Sequence, residues 1–148
     1  MSARERDRGA RAERAVVNFL RENGWPDARR YLAGDGRQPG DVDFHPLVCL
    51  EVKDIDPRRS AWPSWCRQAA SEARDGMVPV VVRRTRGVPD AGQWECRVEE
   101  YAWMAVMGFL PWPGWEEFAF VDAAPWTCTT LAEFVAALHR FDEMDGAA

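Results

Sequence analysis

One lysine stands among 18 arginines in this 148-residue chain, and it closes the tripeptide Glu51-Val52-Lys53. An arginine fork is planar and permanently charged. A lysine ammonium is compact and titratable, and it can lie close to an attacking water or a phosphate. Ten residues before Glu51 comes Asp41, within Pro39-Gly40-Asp41-Val42-Asp43. An acid, a short gap, then acid-x-lysine on an apolar strand is a pattern that suits metal-dependent phosphodiester hydrolysis. Acid-x-lysine alone is more often a solvated strand face. Here the apolar run Leu47-Val48-Cys49-Leu50 leads straight into it, and the two-residue period of a strand puts Glu51 and Lys53 on one face.

These residues need elements to bring them together. Asp41–Phe44 and Leu47–Lys53 read as a β-hairpin around His45-Pro46. Directly paired residues share a face, so Asp41 meets Glu51 only if partner numbers sum to 92, which requires a three-residue loop at 45–47 with Asp43 opposite Cys49. A two-residue His-Pro turn would send the two acids to opposite faces. Before the hairpin, residues 5–23 read as a helix with Ala12, Val16, Phe19 and Leu20 inward and Asn23-Gly24 as its stop. Glu13 borders that apolar stripe, where a carboxylate needs a partner or a metal. Ala28–Leu32 is a short strand candidate, and Ala33–Gly40 a glycine-rich loop.

After the polar segment 54–63, a second helix is expected over Ser64–Arg74, with Trp65, Gln68, Ala69 and Glu72 along one side. Met77–Arg84 and Gln93–Val98 read as strands, Val98–Phe109 as a short helix, and Phe118–Val121 as a last strand. The prolines around Trp112 and Trp115 make 111–115 irregular. Thr130-Leu131-Ala132-Glu133 is a capping-box signature for a closing helix with Leu131, Phe134, Val135, Leu138 and Phe141 inward. The sum is an α/β fold, helices around a mixed sheet, in a single domain spanning 1–148.

Composition bounds the rest. A net charge of −5 argues against nucleic acid until its distribution is read. Residues 1–90 hold 17 basic against 14 acidic residues, and residues 91–148 hold 2 against 10, accounting for the chain's 19 and 24. A basic front half and an acidic rear half suit a protein that presents one face to a polyanion. Cys49, Cys66, Cys96 and Cys128 form no C-x-x-C pair, so zinc is not expected and reduced, mostly buried thiols are. With no apolar run of membrane-spanning length and no signal core at the N-terminus, a cytoplasmic protein without membrane contact is expected.

The ordered set Glu13, Gly40-Asp41, Glu51-Val52-Lys53 and the helix glutamine of Trp65-Cys66-Arg67-Gln68-Ala69 resembles the PD-(D/E)XK nuclease superfamily. More narrowly, it resembles the Holliday junction resolvase-like members of archaea and phages. The resemblance covers about residues 8–86 and leaves 91–148 as a tryptophan-rich, acidic elaboration. It departs from the superfamily at Gly40, where the motif has proline, and Asp43 leaves open which aspartate binds metal. The resemblance implies a restriction-endonuclease-like αβα sandwich. It implies Mg²⁺, with Mn²⁺ as a substitute, held by Asp41, Glu51 and the Val52 carbonyl, with Glu13 helping through a water. Lys53 would orient the attacking water and Gln68 would position the lysine or the scissile phosphate. Branched DNA as substrate and a homodimer follow from the same likeness, the dimer drawing on the apolar segments at 98–118.

Electrostatics give a separate reason to expect a cation. Two carboxylates about 4 Å apart repel by roughly 4 kcal/mol at an effective dielectric of about 20, and Lys53 offsets part of that. A carboxylate pair for glycoside hydrolysis accounts for neither Lys53 nor the arginines. Arg29, Arg30, Arg37, Arg58, Arg59, Arg83, Arg84 and Arg86 fall in loops or at strand ends and are expected to track phosphates. Of the eight tryptophans, Trp94, Trp103 and Trp126 are expected in the core, and Trp112 and Trp115 over the sheet or at an interface, rather than under bases. Alternatives within this pattern are a restriction-like, repair or end-processing nuclease, or a metal-free DNA-binding module.

Overall fold

Ser2 caps the first helix: its hydroxyl accepts from the Glu5 N–H while the Glu5 carboxylate takes the Ser2 N–H. From this reciprocal cap runs α1 (Ala3–Glu22), which buries Ala12, Val16, Val17 and Leu20. The computed structural model describes residues 2–32, 38–59, 61–74, 76–112 and 125–146. The remaining elements are β1 (Arg29–Arg30), β2 (Val42–Asp43), β3 (Val48–Lys53), α2 (Trp62–Glu72) and β4 (Val78–Arg83), followed by β5 (Glu95–Glu99), α3 (Glu100–Val106), β6 (Trp126–Thr130) and α4 (Leu131–Gly146). Short 3-10 turns occupy Pro57–Arg59 and Ala91–Gln93.

The six strands form one mixed sheet in chain order. Every neighbouring pair is antiparallel except β3 and β4, which run parallel because α2 carries the chain back between them. Alternation then divides the strands between two faces. Val48, Leu50, Val52, Val78, Val80, Val82, Cys96 and Val98 join the buried faces of α1, α3 and α4 in the main core. On the other face α2 places Trp62, Trp65, Cys66 and Ala69 against Val81. The sheet therefore has helices on both sides, and β5, β6, α3 and α4 belong to the same sheet and core as the front half.

In the hairpin, Val42 pairs with Leu50, so partner numbers sum to 92, the register that brings Asp41 beside Glu51. The loop between the strands is pinned at both ends of one imidazole. His45 Nδ1 accepts from the Leu47 N–H at 3.1 Å, and Nε2 meets the Asp142 carboxylate of α4 at 2.9 Å. Trp25 adds to the clasp by stacking on His139 of α4 at 4.0 Å between ring centroids.

Several element boundaries differ from the expected ones for identifiable reasons. Helix α2 starts at Trp62 because Pro63 sits in its first turn, where a missing N–H is no loss, and it ends at Glu72 rather than Arg74. Strand β5 begins at Glu95 because the Asp90 side chain caps the 3-10 turn before it. Helix α3 begins at Glu100, since Val98 and Glu99 still belong to β5, and the Glu99 carboxylate caps the helix through the Tyr101 and Ala102 N–H groups. That helix ends at Val106, three residues before the expected Phe109, and Gly108, at φ +84°, turns the chain away from it. Strand β6 was not expected, whereas the strand foreseen at Phe118–Val121 lies outside the described residues, as do Trp115 and Arg37.

The tryptophans take structural places. Trp94 is buried and donates to the Val88 carbonyl, Trp103 packs on Phe134, and Trp112 donates to the Gly76 carbonyl and lies over Phe141. Trp126 corrects its expected burial: it lies on the half-exposed edge strand β6, packed against the α2 cluster. Cys49, Cys66 and Cys96 are buried, whereas Cys128 is exposed; none of the four is bridged. No described helix is long and apolar enough to cross a membrane.

Candidate active site

The face of β3 that looks toward α2 carries Glu51 and Lys53, and the start of β2 delivers Asp41 to it. Gly40 makes that delivery possible. It sits at φ +81°, and a Cβ there would lie 2.5 Å from the Leu50 carbonyl oxygen. Proline is barred from this position by its fixed φ, so the glycine where the superfamily motif has proline is a requirement of this turn. The Asp41 N–H donates to the Leu50 carbonyl at 2.8 Å, and the Asp41 carboxylate accepts from the Val52 N–H, also at 2.8 Å. Val52 lies just past the end of β2, so its N–H finds a side chain instead of a ladder partner. Its carbonyl leaves the strand on the same edge.

Glu51 is 2% exposed, and Lys53 Nζ stands 3.6 Å from its carboxylate. Gln68 of α2 accepts from Lys53 Nζ at 2.9 Å through Oε1 and donates from Nε2 to Glu72 at 3.0 Å. Burial pushes the Glu51 carboxyl up to about 9, helped by its hydrogen bond with Glu72 and by the charge of Asp41. Asp41 is also raised by burial, against the pull of its hydrogen bonds from Val52 and Glu51, and Glu72 is held low by the hydrogen bond from Glu51. Three carboxyl groups thus share protons on this face, with Glu51 as the one that stays neutral. Glu72 was visible only as part of a helix side. Its i, i+4 spacing from Gln68 was the signal that could have marked it.

The other expected site residues divide. Glu13 does not reach this cluster directly: it pairs with Arg30 at 2.5 Å, and its pKa is raised by burial and by the nearby charge of Asp41. Asp43 pairs at the exposed edge with Arg29 at 3.2 Å, away from Glu51, which favours Asp41 as the acid of the site. Five of the eight arginines pair with acids within the chain: Arg29 and Arg30 with those acids, Arg83 with Glu95 at 2.9 Å, Arg84 with Asp54 at 3.3 Å, and the exposed Arg58 with Asp56 at 3.5 Å. Arg58, Arg59 and Arg86 are exposed beyond the ends of β3 and β4, and all three help hold the Asp56 carboxyl low, after the Arg58 backbone N–H that does most to lower it.

Among the described residues no group of three or more His, Cys, Asp or Glu side chains is arranged to hold a metal ion. The candidate donors are the Asp41 and Glu51 carboxylates and the Val52 carbonyl. That is a small, all-oxygen set of the kind Mg²⁺ takes while retaining several waters. A cation held there would take the place of the proton that burial keeps on Glu51. The cysteines offer no competing chemistry, since burial pushes Cys49 up to about 12 and Cys66 up to about 11. Comparison of the chain with protein-family models, with curated proteins and with solved structures found no match.

Proposed function

We propose that this chain is a Mg²⁺-dependent, structure-selective DNA endonuclease of the PD-(D/E)XK type, on a restriction-endonuclease-like core, acting on four-way junctions as a homodimer. The observation that supports it most is the meeting of Asp41, Glu51, Lys53 and Gln68 on one face of β3, which depends on a single hairpin register. A structural strand has no need to end in a buried acid and the chain's one lysine, tied to a helix glutamine.

In this reading Asp41, Glu51 and the Val52 carbonyl hold the ion, Mg²⁺ or Mn²⁺. When bound, it supplies Lewis-acid polarisation of a phosphoryl oxygen. Lys53, fixed by Gln68 and beside Glu51, presents a compact cation to the charge that grows on the phosphate and orients the attacking water. Glu13 flanks the site and adds to the negative field on Asp41. Phosphate contacts fall first to Arg59 and Arg86; Arg29, Arg30, Arg58, Arg83 and Arg84 would have to exchange an acid for a phosphate.

Incubation of the purified chain with Mg²⁺ and matched four-way-junction, flap and linear duplex DNAs tests the reading. Paired nicks across the junction, abolished by a chelator, are the expected outcome, with light scattering reporting a dimer. A monomer that cuts linear duplex as well as junctions would be an end-processing or repair nuclease. Binding without cleavage would make it a metal-free DNA-binding module.

A further inference from the structure

Glu72 is the acid on the α2 face that the proposed chemistry leaves unused. It lies one helical turn beyond Gln68 and accepts from Gln68 Nε2 at 3.0 Å, while Gln68 Oε1 accepts from Lys53 Nζ at 2.9 Å. A carboxylate can only accept, and an ammonium can only donate. The Gln68 amide between them therefore satisfies both partners in one of its two orientations. Turned over, it would set its NH₂ against the ammonium and its oxygen against the carboxylate. Gln68 is on an exposed helix face, so burial and packing do not hold the amide. The carboxylate of Glu72 does.

We infer that Glu72 is a positioning residue: it fixes the orientation of the Gln68 amide and, through it, the place of the Lys53 ammonium beside Glu51. The catalytic meaning of this relay rests on the nuclease reading, whereas the relay itself is a property of the folded chain. Glu72 could instead act on Lys53 by charge alone. The two possibilities differ in what they require: the relay needs an acceptor oxygen at position 72, whereas a direct field needs the charge.

The lone lysine makes this measurable, because the full chain grown on isotope-labelled lysine carries one side-chain ammonium signal. In Glu72→Ala the exchange of the Lys53 ammonium protons is expected to quicken about five-fold or more, the factor that loss of one ordinary hydrogen bond brings. The cleavage kcat is expected to fall by a similar factor with KM unchanged. Glu72→Gln keeps an acceptor oxygen without the charge and is expected to stay close to wild type in both readouts. In a Gln68→Ala background, Glu72→Ala is expected to add nothing further. If Glu72→Gln proves as damaging as Glu72→Ala, or if Glu72→Ala has the same effect with and without Gln68, the relay is overturned in favour of direct charge. An ammonium signal that Glu72→Ala leaves unmoved overturns it as well. Should the wild-type chain cut no DNA while the signal follows the expected pattern, the nuclease reading fails and the positioning of Lys53 by Glu72 stands.

Discussion

Two faces of the same strand show how this sheet separates stability from chemistry. Val48, Leu50 and Val52 of β3 enter a core closed by three helices, while Cys49, Glu51 and Lys53 face α2, the one helix among the described residues on that side, 11 residues long. On the first face every position is aliphatic and dry. On the second, burial is graded within two residues: the Glu51 side chain is 2% exposed and the Lys53 side chain 17%. Thick cover gives a core, and thin cover gives a boundary at which one acid is desolvated while its neighbouring ammonium stays partly exposed. Mutations that treat the two faces alike should therefore have opposite signatures.

The largest separation is expected at Lys53 and Asp41. Lys53→Ala, Lys53→Arg and Asp41→Asn should each lower the cleavage rate by about 100-fold or more, the usual scale for a positioned proton-transfer or charge-stabilising group. DNA binding, read by gel shift, should persist. Near-wild-type cleavage by Lys53→Arg would remove the argument from the lone lysine. The reverse signature belongs to Leu50→Ala, on the dry face of the same strand. It should lose about 2–5 kcal/mol of stability in urea titration.

At the turn that joins the two faces, Gly40→Ala and Gly40→Pro should each destabilise by about 1–3 kcal/mol, because both the positive φ and the contact with Leu50 exclude a side chain. A Gly40→Pro chain with undiminished stability would mean that the turn resembles the superfamily's proline form after all. A smaller change, of opposite sign, is expected for Glu51→Gln in metal-free buffer. The Glu51 carboxyl titrates near 9 in the fold and well below that in the unfolded chain, so its neutral form favours folding at low pH. That contribution is lost as pH rises toward 9. Glutamine keeps the neutral shape at every pH. Its melting temperature should exceed that of the wild type by about 3 °C, roughly 1 kcal/mol for a chain of this size. The gain should be larger at pH 8.5 than at pH 5.5, and an equal gain at both would refute a neutral Glu51. Asp43→Asn, which touches only the exposed Arg29 pair, should change stability by at most about 0.5 kcal/mol and leave cleavage intact.

The hairpin was legible, but its register was only a condition the site imposed: parity allowed two arrangements, and the pairing of Val42 with Leu50 selects the one that puts Asp41 and Glu51 on one face. Helix α1 was legible from its apolar spacing, without the Ser2–Glu5 box that starts it at Ala3, and the Thr130 cap of α4 from its capping signature, although the Glu133 carboxylate meets the Thr129 hydroxyl beside the cap. Strand β6 was not legible. Thr127, Cys128 and Thr129 alternate without a strong apolar face, since the strand is an edge whose burial is supplied by β5 and the Trp126 contact with α2. Glu13 and the arginines mark a different limit. Their side chains could be placed near the site by element order, but which acid each arginine meets depends on how strands β1, β4 and β5 lie against one another. Glu72 was placed on the right side of its helix, and its i, i+4 spacing from Gln68 permits their hydrogen bond, but that bond and the contact with Glu51 depend on how α2 lies on β3.

The solitary parallel pairing in the sheet has a consequence for how the molecule assembles. The β2–β3 hairpin can zip from its short turn, but β3 and β4 meet only after the whole segment through α2 has folded back, a loop closure that must precede its reward. Asp41, Glu51, Lys53, Gln68 and Glu72 all lie before the end of that segment, within 32 consecutive residues. That closure therefore also seats α2 over the site face of β3. A chain halted short of it would hold the β2–β3 hairpin without α2 packed against the face that carries Glu51 and Lys53.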